Sequence, residues 1–157
     1  MEVEYPVTGR CQCENIKYEI NEPPILLCVC HCLDCQKLSS SAFGLSMTLP
    51  LNAFKVTGEL KKWEYTSDNG EVNIAYFCPV CGNRIYHEHK EKKGFIRLKP
   101  GTLDNTQILD PDIHLWVKRK QPWVIIDDGL PKHETQPEDP RELFELVKKA
   151  RQNKEIG

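Results

Sequence analysis

The sequence predicts a mainly β fold of short strands and tight turns, followed by one C-terminal helix. Three features carry that prediction. Apolar and polar residues alternate over short runs bounded by Gly, Pro, Asn and Asp, as half-buried strands and their turns do. The eight cysteines gather at C-x-C and C-x-x-C spacings, which suit metal ligation better than disulfide stapling. Only the segment beyond Pro137 repeats its apolar residues at helical spacing.

With 157 residues the chain supports one domain with a real core. The formal net charge of −2 supplies no global basic field, so nucleic acid and acidic membrane surfaces are not expected partners. No run of about 18 apolar residues occurs to span a bilayer. Met1-Glu2-Val3-Glu4-Tyr5-Pro6 lacks the basic and apolar regions of a signal peptide, and a cytoplasmic location is expected. In that reducing setting, clustered thiols read as metal ligands.

Taken in order, Gly9 opens a turn that carries Cys11 and Cys13. Ile16 to Ile20 alternates as a strand, and Asn21-Glu22-Pro23-Pro24 breaks it. Ile25 to Cys30 is apolar enough for a buried strand that delivers the densest thiol cluster, while Lys37 to Ser41 is small and polar. Phe43 to Leu49 and Phe54 to Thr57 read as strands. Leu60 to Thr66 and Val72 to Phe77 form a hairpin around Ser67-Asp68-Asn69-Gly70. Further strands are expected at Arg84 to His89 and Gly94 to Leu98, with the charged tip Lys90 to Lys93 between them, then at His114 to Val117 and Gln121 to Ile126. His87 and His89 read as surface residues. Residues 1–136 thus form the β domain, and residues 137–157 an amphipathic helix and tail. Asp139 caps that helix, Pro140 takes its first position, and Leu143, Leu146, Val147 and Ala150 form its stripe.

Zinc requires four ligands at tetrahedral corners, with Zn–S of about 2.3 Å and sulfurs therefore about 3.8 Å apart. One C-x-C or C-x-x-C turn supplies two corners, and two distant turns supply four. Cys11 and Cys13 with Cys78 and Cys81 make a closed set of the structural kind. Of the remaining thiols, Cys32 and Cys35 form a C-x-x-C turn that Cys30 can join by a bend at His31. Cys28 lies about 13 Å from Cys32 along an extended strand. Three thiolates with an open position is the economical reading, and a bend at Val29 that closes the site with Cys28 is the alternative. His31 points to the opposite strand face and reads as structural or solvent-facing.

The motifs Gly9-x-Cys11-x-Cys13, Cys30-His31-Cys32-x-x-Cys35-Gln36-Lys37, Phe77-Cys78-x-x-Cys81-Gly82, His114-Leu115-Trp116-Val117-Lys118 and Pro122-Trp123 occur in this order. In this the chain resembles the glutathione-dependent formaldehyde-activating (GFA) family, which includes the centromere protein V group. The resemblance implies a β-tent of several small coiled antiparallel sheets around two Zn²⁺ sites per chain. It also implies a structural zinc on Cys11, Cys13, Cys78 and Cys81, and a catalytic one on Cys30, Cys32 and Cys35. Two positions depart from the pattern: Cys28 lies outside the motif, and Ser40 stands where Gly is frequent.

The activity so implied is that of a carbon–sulfur lyase acting on a glutathione or other thiol–carbonyl adduct, similar to S-(hydroxymethyl)glutathione synthase. The partner is then a small-molecule thiol such as glutathione. Three thiolates dampen Lewis acidity, so thiol binding and exchange is more natural chemistry here than water activation. The alternative is a non-catalytic zinc module for protein or nucleic-acid partners, which requires both sites closed by four thiolates. Its basic clusters, Lys61-Lys62 and Lys118-Arg119-Lys120, read as solvated strand ends. Trp116 and Trp123 are either pocket walls or core.

Overall fold

The computed structural model describes residues 2–156. In chain order its strands are β1 (Val7–Arg10), β2 (Lys17–Ile20), β3 (Leu26–Cys30), β4 (Gly44–Pro50), β5 (Phe54–Thr57), β6 (Lys61–Thr66), β7 (Val72–Phe77), β8 (Arg84–His89), β9 (Phe95–Leu98) and β10 (Ile113–Leu115). Two α-helices are present among the described residues, α1 (Leu33–Ser39) and α2 (Pro140–Ile156). The chain divides into two compact units, Met1–Ile25 with Met47–Leu109, and Leu26–Ser46 with Asp110–Gly157.

The first unit holds the antiparallel sheet β1-β2-β5 and the antiparallel run from the second half of β4 through β9, β8 and β7 to β6. Strict alternation explains the small sheet: Tyr18 and Ile20 are buried while Lys17 and Glu19 are exposed. Gly9 lies opposite Tyr18 within β1 rather than opening a turn. A Cβ there would come within 2.2 Å of the Tyr18 ring, so only glycine lets that ring lie across the strand. Tyr18 continues into an aromatic ladder through Phe54 and Tyr86 to Tyr76, with ring centroids 4.4–5.4 Å apart. Around it Ile16, Ile20, Leu49, Ile85, Ile96 and Leu98 are buried, each contributing about 1.5–3 kcal/mol of hydrophobic stabilisation. At Tyr76/Phe77 the β7–β8 register shifts, just before Cys78.

In the second unit β3 is buried at every position and pairs in parallel with β10, Ile113 facing Cys28 and Leu115 facing Cys30. Burial on both faces explains its unbroken apolar run. Asp112 is buried at the entry to β10. Its carboxylate accepts from the Leu27 amide at 2.8 Å and from Arg151 of α2 in a two-pronged ion pair at 2.8 Å. Asp139 accepts from the Arg141 amide at 2.9 Å and caps α2. Val147 buries the helix stripe, whereas Leu146 is exposed.

The mainly β character and the C-terminal helix agree with the sequence reading. Several details differ. Helix α1 was not expected from the sequence, in which Lys37 to Ser41 reads only as a small, polar stretch, because seven residues with none buried show no helical period and its N-cap is a cysteine. Residues 121–126 form a turn and loop rather than a strand, with Trp123 and Ile125 exposed. Strand β10 ends at Leu115, where Trp116 takes a left-handed conformation (φ 59°). His87 is buried, not a surface residue, and His89 is half-buried. Among the described residues no helix is long and apolar enough to cross a membrane.

Candidate metal centres

None of the eight cysteines is in a disulfide. In the first unit the Sγ atoms of Cys11, Cys13, Cys78 and Cys81 lie within 4.8 Å of one another, with Cys13 at 3.5 Å from both Cys11 and Cys78. Two turns present them, and they are built alike. The Cys11 amide donates to the Ile16 carbonyl and the Cys78 amide to that of Asn83, each closing a loop across five residues. In both turns the residue after the second cysteine is left-handed: Glu14 at φ 64° and Gly82 at φ 77°. Asn83 ties the turns together, its Oδ1 accepting from the Gln12 amide at 2.7 Å.

Backbone amides point at the sulfurs, from Ile16 to Cys11 at 3.3 Å and from Val80 to Cys78 at 3.4 Å. Such donors favour thiolate. The Asn83 amide leads the causes that hold Cys81 down to about 6. Cys13 goes the other way, to about 12: the Asn15 amide lowers it, but desolvation and the neighbouring thiols outweigh that. Four sulfurs at this separation can all ionise only if a cation offsets their repulsion. The donor set therefore fits a metal ion.

The second unit brings together Cys30, Cys32 and Cys35, again within 4.8 Å. Cys30 ends β3, Cys32 caps α1, and Cys35 sits in its first turn, its amide donating to Cys32 Sγ at 3.3 Å. Hydrogen bonding to Cys32 and Cys35, followed by burial, pushes the Cys30 thiol far up. This set too fits a cation. Cys28 is not part of it and lies buried in β3.

His31, between two of these thiols, is fully buried and stands outside both thiol groups. Its Nε2 lies 2.9 Å from His114 Nδ1, and His114 Nε2 lies 2.7 Å from Asp128 Oδ2. The carboxylate can only accept, so His114 carries its proton on Nε2 and leaves Nδ1 as an acceptor for His31 Nε2–H. His31 Nδ1 is then a buried lone pair, with no hydrogen-bond partner among the described residues. The Phe43 ring packs edge-on against His31. Gln36 braces the same segment: its Nε2 donates to the carbonyls of His31 at 2.8 Å and Arg119 at 3.0 Å.

The profile of the glutathione-dependent formaldehyde-activating enzyme family matches residues 6–119. The chain belongs to this family. Among solved structures it resembles a crystal structure of a Rhodobacter sphaeroides protein, with a TM-score of 0.50 and 16% identity over 64% of this chain and 92% of that one. That likeness speaks to the fold alone. A search of curated proteins found no match. Within the family motifs the structure assembles seven cysteines into two clusters that could hold metal ions.

The His31–His114–Asp128 chain was not foreseen. Two of its members stand in the quoted motifs, yet only the parallel pairing of β3 with β10 reveals that they meet. Asp128 lies in a polar loop and has no sequence signal.

Proposed function

We propose that each thiol cluster binds one zinc ion and that the two do different work. Cys11, Cys13, Cys78 and Cys81 hold a structural zinc, and Cys30, Cys32 and Cys35 hold a catalytic one. The protein is then a cytoplasmic carbon–sulfur lyase acting on a thiol–carbonyl adduct, with glutathione as the thiol and S-(hydroxymethyl)glutathione synthase as the nearest description. The observation that carries this reading is the second cluster's composition of three thiols, with Cys28 outside it. A non-catalytic module calls for four ligands at both sites, and three suit an open coordination position. The family's name supplies the substrate class.

A zinc ion held there supplies stabilisation of thiolate at neutral pH and polarisation of a carbonyl oxygen. The net reaction adds a thiol S–H across a carbonyl: the C–S bond forms, the proton ends on oxygen, and nothing is oxidised or reduced. The chain's own residues set the stage. The Cys35 amide orients Cys32 Sγ. His31, which stands between Cys30 and Cys32 in the chain, is braced by His114 through its ring and by Gln36 through its carbonyl. Phe43 packs edge-on against the His31 ring.

Native mass spectrometry of the intact chain, with and without glutathione, tests the reading. The expected result is two zinc ions plus a glutathione adduct, and Cys35→Ser loses the adduct together with formaldehyde-dependent turnover. Turnover unchanged in Cys35→Ser, or two zincs with no response to glutathione, would sink it.

A further inference from the structure

Strand β6 is the last strand of its sheet and pairs on one side only, with β7. Its neighbours show which of its backbone groups are left over. The Val72 carbonyl accepts from the Lys90 amide at 2.9 Å, so Val72 directs its backbone groups toward β8. Thr66, opposite Val72, is therefore not bonded to β7. Such pairs alternate along antiparallel strands. Lys61, Trp63 and Tyr65 thus bond to β7, while Lys62, Glu64 and Thr66 turn their amides and carbonyls outward. All three of these residues are exposed, and among the described residues no backbone group meets this edge.

An open edge is a template for another strand, and proteins blunt it with proline, a bulge or charge. Strand β6 has no proline, and its six residues run in unbroken register with β7. Beside the edge an apolar face is held in place. Trp63 is 54% exposed, yet its ring stacks on Tyr65 at 5.1 Å, with the Arg84 guanidinium 5.5 Å from its centre. A ring fixed in this way has little rotational freedom left to lose on binding. The charges are only partly used. Among the described residues Lys61 and Lys62 form no ion pair or side-chain hydrogen bond, and Glu64 gives Oε1 to Lys90 at 2.7 Å and keeps Oε2.

We propose that β6 is a self-association edge, to which a second copy of this chain adds its own β6 antiparallel. A twofold axis normal to the sheet keeps each side chain on its own face, so it passes through one residue paired with itself. Two such registers pair all but one of the six residues of β6. Centred on Glu64, the pairing sets Glu64 against Glu64, like charges directly opposite. Centred on Trp63, it sets Lys62 against Glu64 twice, Lys61 against Tyr65 twice and Trp63 against Trp63 once. In that register Lys62 and Glu64 exchange the outward backbone hydrogen bonds, and the Trp63 pair is of the kind whose side chains approach closest. The lysines that blunt the edge toward an unrelated strand complement it toward a copy of itself. One short strand per copy makes a small interface, so the dimer is weak and depends on concentration.

The test is sedimentation velocity of the purified full chain from micromolar to submillimolar concentration. The wild-type chain should pass from monomer to dimer over that range. Lys62→Glu sets a like charge against Glu64, and Glu64→Lys sets one against Lys62, so each should weaken self-association about tenfold. Both side chains are exposed, so the fold of the monomer should be unaffected. An equimolar mixture of the two variants restores opposite charges at both Lys62–Glu64 positions of a mixed dimer, and should associate as tightly as wild type. A wild-type chain that stays monomeric throughout would overturn the proposal. So would a dimer indifferent to both substitutions, which would lie on another surface, or a mixture no tighter than its components, which would remove the register.

Discussion

The two thiol clusters use the same ligand chemistry but are built from the chain in opposite ways. In the first unit, two turns more than sixty residues apart each contribute two sulfurs, so the cluster joins distant strands. In the second, three sulfurs come from one continuous stretch of six residues where β3 gives way to α1. A crosslink between distant segments restricts the unfolded chain strongly, whereas a local one restricts it little. The first arrangement is suited to holding a fold together. The second presents a site while contributing little to stability.

Paired variants test that contrast most severely. Cys78→Ser should break the crosslink and cost on the order of 5 kcal/mol, lowering Tm by roughly 10–20 °C. Cys35→Ser should cost about 1 kcal/mol and lower Tm by only about 2–4 °C, even though it empties the second site. Thermal melts of both variants alongside their zinc contents decide the matter. Equal losses of stability would show that the local cluster also carries the fold.

The sequence made the first cluster readable because C-x-C and C-x-x-C spacings record the ligand geometry directly. Strands β5, β7 and β8 were legible to the residue, since their alternation coincides with Gly, Pro and Asn boundaries. Helix α1 was not, because seven residues with none buried carry no period to read. Nor was the loop at 121–126. Its apolar residues look like a strand, but Trp123 and Ile125 face solvent, and Trp123 walls a cleft. His87 and His31 escaped for a related reason. A histidine's burial is decided by what packs over it, here Tyr65 and Arg84 in one unit and His114 in the other.

Those two histidines sharpen the comparison through pH. Arg84 can only donate, so His87 Nε2 is its acceptor and Nδ1–H faces the Tyr65 hydroxyl at 2.9 Å. Burial, then Lys99, Arg97 and Arg84, push the His87 imidazole well below its usual range. The unfolded chain takes up a proton near pH 6.5 and the folded one does not. Stability from His87 is therefore complete above about pH 6.5 and falls by about 1.4 kcal/mol per pH unit below it. Denaturant midpoints from pH 7 to 5 should show His87→Gln removing one proton's worth of that slope while the zinc content, on the proposed two-zinc reading, stays unchanged. His31 is pushed down too, by burial first and then by His114 and Lys120. Because His31 stands between Cys30 and Cys32, His31→Gln should in addition, on the proposed two-zinc reading, lower the zinc content by one. Loss of zinc in His87→Gln, or its retention in both variants, would break the distinction between a histidine that packs a core and one that positions ligands.

The smallest expected effect concerns two left-handed residues, one in each unit. Ser40 closes α1 at φ 51°, its amide bonded back to the Gln36 and Lys37 carbonyls. This is the helix-ending geometry that glycine adopts most cheaply. A non-glycine residue there carries about 1–2 kcal/mol of strain, and glycine gives back about 0.5–1 kcal/mol in unfolded-state entropy. Ser40→Gly should therefore stabilise the protein by about 0.5 kcal/mol, a rise in Tm of about 1–2 °C. Glu14, at φ 64° beside the first cluster, differs because its carboxylate pairs with Arg10 at 2.5 Å. Glu14→Gly gives up that exposed pair as it relieves the strain, so its net effect should be closer to zero. If Ser40→Gly gains nothing while Glu14→Gly does, backbone strain lies in the crosslinking cluster and not at the helix that carries Cys35. The division of labour between the two sites would then need a different structural basis.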